Sequence, residues 1–193
     1  MRHLKILSLL LALASFSMTA CTSDKPKDSE KAADKVNDAK TETNRSEEDA
    51  EMLVNAASSD MYQISAGEVA ASMATQPSVK EFANMMVTMH KTMSDETKMV
   101  AAKKAYTLPT AMANDYMDDV EDMKKWTKGK EFDTKYINAQ IDQHQKILDG
   151  IEKRMAATVD SDIKMWAQKA SSGVRMHLDK AKAIDGQLDS VYK

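Results

Sequence analysis

Two unbroken apolar stripes at helical spacing constrain the fold of this chain more than any other feature of its sequence. One stripe runs through residues 137–155 and the other through residues 163–188, and both advance by alternating steps of four and three. Their members are Ile137, Ile141, His144, Leu148, Ile151 and Met155, then Ile163, Ala167, Ala170, Val174, His177, Ala181, Ile184 and Leu188. Such a stripe covers one face of an amphipathic helix, which is stable only when that face is packed. The sequence therefore predicts long helices that share a core.

Four breaks divide the rest of the chain into further helices. Pro77 ends one helix, and Ser78 with Glu81 has the spacing of a capping box that opens the next. The other breaks are Thr107-Leu108-Pro109-Thr110, Lys128-Gly129-Lys130 and Thr158-Val159-Asp160-Ser161. We expect long helices near residues 47–75, 78–105, 131–157 and 161–190, with a shorter one near 110–126. The predicted class is all-α, an antiparallel four-helix bundle whose extra short helix lies in the crossover between the second and third long helices.

The amino terminus has the layout of a secretory signal. A basic start over residues 1–5 precedes an almost wholly apolar run over residues 6–18, which is too short to span a bilayer. Thr19 and Ala20 then lead into Cys21, the only cysteine of the chain. Small residues directly before a cysteine resemble the lipobox of bacterial lipoproteins. We therefore expect a lipoprotein-type signal peptide over residues 1–20, cleaved before a lipidated Cys21.

The segment after Cys21 is highly polar. Residues 22–46 contain hardly an apolar side chain, so we predict a disordered charged tether over residues 21–46 and a helical domain over residues 47–193. Thr22 stands where an aspartate would indicate inner-membrane retention, which favours the outer membrane and a periplasm-facing domain. Losing Arg2 and Lys5 with the signal leaves 25 of the 27 basic residues against 30 acidic ones. This acidic balance argues against nucleic acid as a partner.

The helical region resembles a bacterial family known as domain of unknown function 4142, which is grouped with ferritin-like bundles. The resemblance covers about residues 50–185. Its carrying residues are Gly67-Glu68-Val69-Ala70, Val79-Lys80-Glu81-Phe82-Ala83-Asn84-Met85-Met86, His90, Leu108-Pro109, Gly129-Lys130-Glu131-Phe132-Asp133, Tyr136, His144 and Met176-His177-Leu178-Asp179-Lys180-Ala181. The resemblance implies a ferritin-like bundle and export, with no known activity. Relatives commonly carry acids where this chain has Met89 and Gln143, and a glutamate where it has Gln63.

Three histidines lie on or beside the apolar faces of three different predicted helices. They are His90, His144 and His177, and neutral imidazole is a good ligand for zinc, copper, nickel or iron. Two residues of the first predicted helix are candidates for a fourth ligand. Glu68 has the better ligand chemistry, and Gln63 lies at the position where the family has a glutamate. The alternative is three separately hydrogen-bonded histidines in a packed core. A ferritin-type di-iron site is not expected, because Val87, Ile141 and Val174 stand where its Glu-x-x-His motifs require glutamates.

Methionines near His90 suggest a second possibility. Met86, Met89 and Met93 share one predicted helical face with His90, and thioethers with an imidazole suit Cu(I). Methionine on a helix face also serves simply as adaptable core filling. The sequence as a whole thus predicts a lipid-anchored envelope protein with a non-enzymatic binding or envelope-associated role and an unidentified protein partner or small ligand. The alternative is a bundle that binds a divalent transition metal or Cu(I).

Overall fold

Helix is the only regular secondary structure across residues 28–193, the part of the chain that our computed structural model describes. The elements are α1 (Ser29–Asp38), α2 (Asn44–Met73), α3 (Pro77–Lys103), α4 (Asn114–Met123), α5 (Lys130–Ala157) and α6 (Ser161–Val191). The four predicted long helices correspond to α2, α3, α5 and α6, and the predicted short helix corresponds to α4. The all-α class is confirmed.

The long helices pack side by side. α2 lies along α3 and α5 lies along α6, while contacts of α3 with α6 and of α2 with α5 join the two pairs. α1 and α4 both pack against α2. Every member of the α6 stripe is buried, as its spacing predicts. The prediction of a shared core between long amphipathic helices is thus confirmed.

The core contains two apolar clusters with histidine between them along two of the helices. On α5, Ile137 belongs to the first cluster and Leu148 to the second, and His144 lies between them. On α6, His177 likewise lies between Val174 of the second cluster and Ala181 of the first. Because His144 and His177 occupy positions in the apolar stripes, both imidazole rings are buried, between the two apolar clusters.

Helix α1 differs from the sequence-based prediction, which assigned residues 21–46 to a disordered tether. Residues 29–38 are helical, and α2 already begins at residue 44. Ala33 and Asn37 of α1 are buried. The Asn37 amide donates to the Thr107 carbonyl at 2.9 Å and accepts from the Thr107 amide at 2.7 Å. Ser29 Oγ at the start of α1 also accepts from the Thr110 amide, at 2.8 Å. Hydrogen bonds of single side chains hold this polar helix, and hydropathy could not indicate them.

The turn between α2 and α3 is held by a residue distant in sequence. The capping box predicted at Ser78 and Glu81 is wrong, because α3 begins at Pro77 and its N-cap position has no side-chain hydrogen bond. Instead, buried Asp133 of α5 accepts from the backbone amides of Thr75 and Gln76, at 2.9 and 3.0 Å. A carboxylate from another helix therefore satisfies donors near the start of α3.

Close approach of α2 and α3 at Gly67 gives a testable prediction. A Cβ atom at this glycine would lie 2.8 Å from Val87 Cγ2 and 3.0 Å from the Ala83 carbonyl oxygen. We expect Gly67→Ala to lower the free energy of unfolding by about 1–3 kcal/mol, because the helices must move apart. Urea titration followed by circular dichroism measures this change.

The matched control is Gly150→Ala on α5, where a Cβ meets nothing within 4 Å. Alanine there should stabilise the fold by about 0.5–1 kcal/mol, since glycine is a poor helix former. Equal effects of the two substitutions would contradict the close helix contact at Gly67.

Candidate metal centre

Three helices bring His90, His144 and His177 together inside the bundle. His90 lies on α3, His144 on α5 and His177 on α6, and at most 2% of any of the three is exposed. Their ring centroids are 5.0 Å apart for His90 and His177, 5.3 Å for His144 and His177, and 5.8 Å for His90 and His144. Each residue offers one ring nitrogen, and these three nitrogens lie within 4.8 Å of one another. Of the two arrangements that the sequence left open, the structure has the one in which the three histidines meet.

Hydrogen bonds orient two of the rings. His144 Nδ1 lies 2.8 Å from the Gln140 carbonyl oxygen, which can only accept, so Nδ1 carries the proton and Nε2 carries a lone pair. His90 Nδ1 lies 2.8 Å from Asp60 Oδ1. Both contacts are the outer partners that metal-binding histidines usually have, a backbone carbonyl and a carboxylate.

The remaining nitrogens of the rings have no protein partner. Among the residues that the structure describes, no group hydrogen-bonds to His90 Nε2, His144 Nε2 or His177 Nδ1. A buried polar atom without a partner costs free energy of folding, about 1–3 kcal/mol in mutational series. A shared ion would convert this cost into three coordinate bonds. The arrangement is therefore better suited to a ligand than to a fully satisfied core.

Burial sets the protonation of the site. It lowers the pKa of His90, His144 and His177 to about 3, and for His144 and His177 the neighbouring rings add to this effect. The three imidazoles are therefore neutral at pH 7, the form that binds metal. Burial also raises the pKa of Asp60 to about 8. The hydrogen-bonded Asp60–His90 pair is thus net neutral near pH 7.

The structure separates the two predicted fourth ligands. Glu68 lies on the surface, where its side chain is 60% exposed and its carboxylate lies 3.6 Å from the Lys91 ammonium. Gln63 is fully buried, and neither of its amide atoms has a hydrogen-bond partner among residues 28–193. A one-residue error in the phase of a helix moves a side chain by about 100°, which is enough to place Glu68 outside. Only Gln63 remains available in the interior.

The three methionines of the copper alternative have different surroundings. Met89 Sδ lies 3.3 Å from His177 Nε2, so its thioether contacts the histidine group directly. Met86 is fully buried in the first apolar cluster, where it fills space. Met93 lies over Gly173 of α6, with its sulfur 3.6 Å from the position of a Cβ there. Of the three, Met89 is the one whose sulfur lies within hydrogen-bond distance of a ring nitrogen among the described residues.

Sequence reasoning missed Asp60 and Gln140. Asp60 is 4% exposed and lies one turn before Gln63 on α2, while Gln140 is fully buried one turn before His144 on α5. Both amide atoms of Gln140 also have no partner within the described chain. Their spacing was the available signal, because polar residues one turn from a predicted ligand share its face. Besides the three histidines, the buried polar side chains on these parts of α2 and α5 thus include the carboxyl group of Asp60 and the amides of Gln63 and Gln140.

A cavity adjoins this group. Its volume is about 200 Å³, and its lining includes Asp60, Met89, His90 and Met93. Glu96 and Lys169 also line it and form an ion pair of 2.6 Å, with the lysine 70% exposed. The cavity therefore connects the neighbourhood of His90 with side chains at the surface.

The predicted signal peptide over residues 1–20 and Cys21 lie outside the described residues. Within residues 28–193, no helix has both the length and the apolar character needed to cross a membrane.

Comparison with known proteins identifies one relationship. A family model described as "Domain of unknown function (DUF4142)" matches residues 34–184 of the chain. The matched region includes all of α2, α3, α4 and α5 and most of α6, and it contains the three histidines. Searches of curated proteins and of solved structures found no match.

Proposed function

This chain belongs to the DUF4142 family, and we propose that it binds a transition-metal ion. The proposed ligands are His90, His144 and His177. The family description names no activity, so the proposal rests on the site itself. The observation that carries it is the meeting of three buried ring nitrogens, from three helices, within 4.8 Å of one another.

The donor set favours a particular group of ions. Three neutral imidazoles suit zinc, copper, nickel or iron, whereas magnesium and calcium require oxygen ligands. Three protein ligands leave at least one coordination position open, as in catalytic and transport sites. Gln63 or a solvent molecule completes the shell in this proposal. The role we assign is metal binding rather than catalysis.

The proposed scaffold is an antiparallel four-helix bundle of ferritin-like type. Its support is the packing of α2 with α3 and of α5 with α6, each pair joined by a connection of three residues. The longer connection from α3 to α5 contains α4 and serves as the crossover. A bundle of this type places inward-facing ligands from several helices around one point, as required here.

The proposed location is the cell envelope, with Cys21 as a lipid anchor in the outer membrane and the bundle facing the periplasm. The apolar run before Thr19-Ala20-Cys21 supports this proposal. Acyl chains on one cysteine provide stable attachment without help from the rest of the chain.

Anchoring is tested by Cys21→Ala. We expect the substituted protein to leave the membrane fraction for the soluble envelope fraction, since the acyl chains supply all of the attachment. Fractionation after a high-salt wash measures this, with Thr22→Ala as the control that remains attached. Retention of the Cys21→Ala protein in the membrane would contradict the anchor.

Metal binding is tested by substitution of His144. The full chain in detergent should bind one Zn²⁺, Cu⁺ or Ni²⁺ ion, and His144→Gln should weaken binding about 100-fold or more by removing a ligand. Titration against a chromogenic chelator measures both affinities. The matched control is Gln145→Ala, a change at the exposed neighbour on α5 that should leave affinity unchanged. Equal affinities in the His144 and Gln145 variants would rule out the histidine site.

A further inference from the structure

Each of the three histidine rings has one nitrogen with a partner and one without. In His90 and His144 the partnered nitrogen is Nδ1, which leaves Nε2 free in both rings. His177 has the reverse arrangement. Its Nε2 lies 3.3 Å from Met89 Sδ, and its Nδ1 has no partner among residues 28–193. The third ring therefore offers a different nitrogen to a shared ion.

The contact with Met89 determines which nitrogen of His177 carries the proton. A thioether sulfur has no hydrogen to donate and accepts weakly, so the contact is a hydrogen bond only when Nε2 carries the proton. A neutral imidazole protonated at Nε2 has its free lone pair on Nδ1, and the hydrogen bond at one ring nitrogen sets which nitrogen binds a metal. Because the two nitrogens point in different directions, Met89 is placed to act on an ion through His177 rather than as a ligand.

The packing of α3 against α6 brings Met89 to His177. Cross-helix contacts in this region share one register, in which residue numbers fall along α3 as they rise along α6. These contacts are Glu96 with Lys169, Met93 with Gly173, and Met89 with His177. Successive contacts are three or four residues apart on each helix, which is about one helical turn. The register of the two helices therefore supports the position of the Met89 thioether.

We propose that Met89 is a positioning residue of the metal site: its thioether accepts a hydrogen bond from His177 Nε2 and so presents Nδ1 to the ion. This inference rests on the metal binding proposed above and assigns the coordinating atoms. They are Nε2 of His90, Nε2 of His144 and Nδ1 of His177. Met89 has the same role for its ring that the Gln140 carbonyl has for His144, with sulfur in place of oxygen as the acceptor.

The coordinating atoms are tested by ¹⁵N NMR of the histidine rings in the full chain in detergent, loaded with one equivalent of Zn²⁺. The spectrum distinguishes a ring nitrogen that binds zinc from one that carries a proton. We expect zinc at Nδ1 of His177 and at Nε2 of His90 and His144. Zinc at Nε2 of His177 would overturn the inference and leave the proposed metal binding intact. Zinc at none of the three rings would overturn both.

Substitution of Met89 separates positioning from packing. Met89→Leu keeps an apolar side chain of similar size but removes the acceptor, so it should weaken Zn²⁺ binding roughly tenfold. Met89→Gln restores an acceptor, its amide oxygen, and should recover most of the affinity. A methionine that only fills space predicts the opposite order, because leucine packs well there and an amide does not.

The matched control is Met93→Leu, one turn along α3. Met93 lines the same cavity, but its sulfur lies over Gly173, so this substitution should leave Zn²⁺ affinity unchanged. A fluorescent zinc indicator measures each affinity, and thermal unfolding verifies that each variant is folded. Unchanged affinity in folded Met89→Leu, or weaker binding by Met89→Gln than by Met89→Leu, would overturn the positioning role.

Discussion

Asp133→Ala is expected to lower the free energy of unfolding by about 3–5 kcal/mol, because the carboxylate is a buried acceptor for four donors. Besides the two backbone amides of the α2–α3 turn, it accepts from the Thr75 hydroxyl and the Tyr192 hydroxyl, each at 2.6 Å. Removing it leaves donors at the start of α3 unpaired and removes one of the two hydrogen bonds that join Tyr192 to α5. Chemical denaturation followed by circular dichroism gives the change.

The control for this prediction is Asp149→Ala on the same helix. Asp149 is exposed, and its hydrogen bond in the structure comes from Gln145 one turn away. The expected change is within about 0.5 kcal/mol, as for most surface substitutions. A loss below about 1 kcal/mol for Asp133→Ala would show that the turn does not depend on this carboxylate.

The stability of the metal-free protein should have a maximum near pH 6.5. Burial lowers the pKa of three histidines from 6.5 to about 3, so their contribution is complete above pH 6.5 and is lost as the pH falls toward 3. Burial raises the pKa of Asp60 from 3.8 to about 8, so its contribution is lost as the pH rises toward 8. Between pH 3.8 and 6, three histidine protons oppose two aspartate protons, because burial also raises the pKa of Asp34 to about 6. Stability then falls on acidification by about 1 kcal/mol per pH unit.

Above pH 6.5 the Asp60 effect dominates, and stability should fall by about 1 kcal/mol per pH unit up to pH 8. Urea titrations in the presence of EDTA at each pH measure both sides of the maximum. Asp60→Asn should abolish the decline above pH 6.5. The control Asp34→Asn should preserve it, since the pKa of Asp34 is raised only to about 6. A flat profile from pH 4 to 8 would contradict neutral, buried histidines.

The long helices were predictable because their signals are local and redundant. Each apolar stripe has six to eight members, and Pro77, Gly129 and Asp160 mark boundaries within a residue or two of those observed. Asp160 even provides the expected cap, accepting from the amides of Asp162 and Ile163. An error at one position of such a stripe therefore hardly changes the predicted helix.

The remaining features depend on single long-range contacts, which leave no periodic trace. Helix α1 is held by Asn37 against Thr107 and by Ser29 against Thr110, 70 and 81 positions away, so its own polar sequence predicted a tether. The α2–α3 turn is capped by Asp133 rather than by the nearby Glu81. These contacts become visible only when the helices are placed in three dimensions.

The candidate site combines both kinds of signal, so the sequence indicated its histidines and missed their partner Asp60. His144 and His177 lie on stripes, so their burial follows from the helical period, and His90 lies beside one. Asp60 could not be assigned to His90, because the relative rotation of α2 and α3 is set by packing at Gly67. Glu68 lies one position from the glycine that faces α3, and the same rotation leaves its side chain on the surface.

The most direct test of the central claim, that three buried histidines form one metal site, is X-ray absorption spectroscopy of the full chain loaded with a single equivalent of metal. Our account predicts a first shell with three nitrogen neighbours at about 2.0 Å and the multiple-scattering pattern of imidazole. It also predicts that this shell disappears when His90, His144 and His177 are replaced together by glutamine. A shell of oxygen atoms alone, or a shell that persists in the triple variant, would contradict the account.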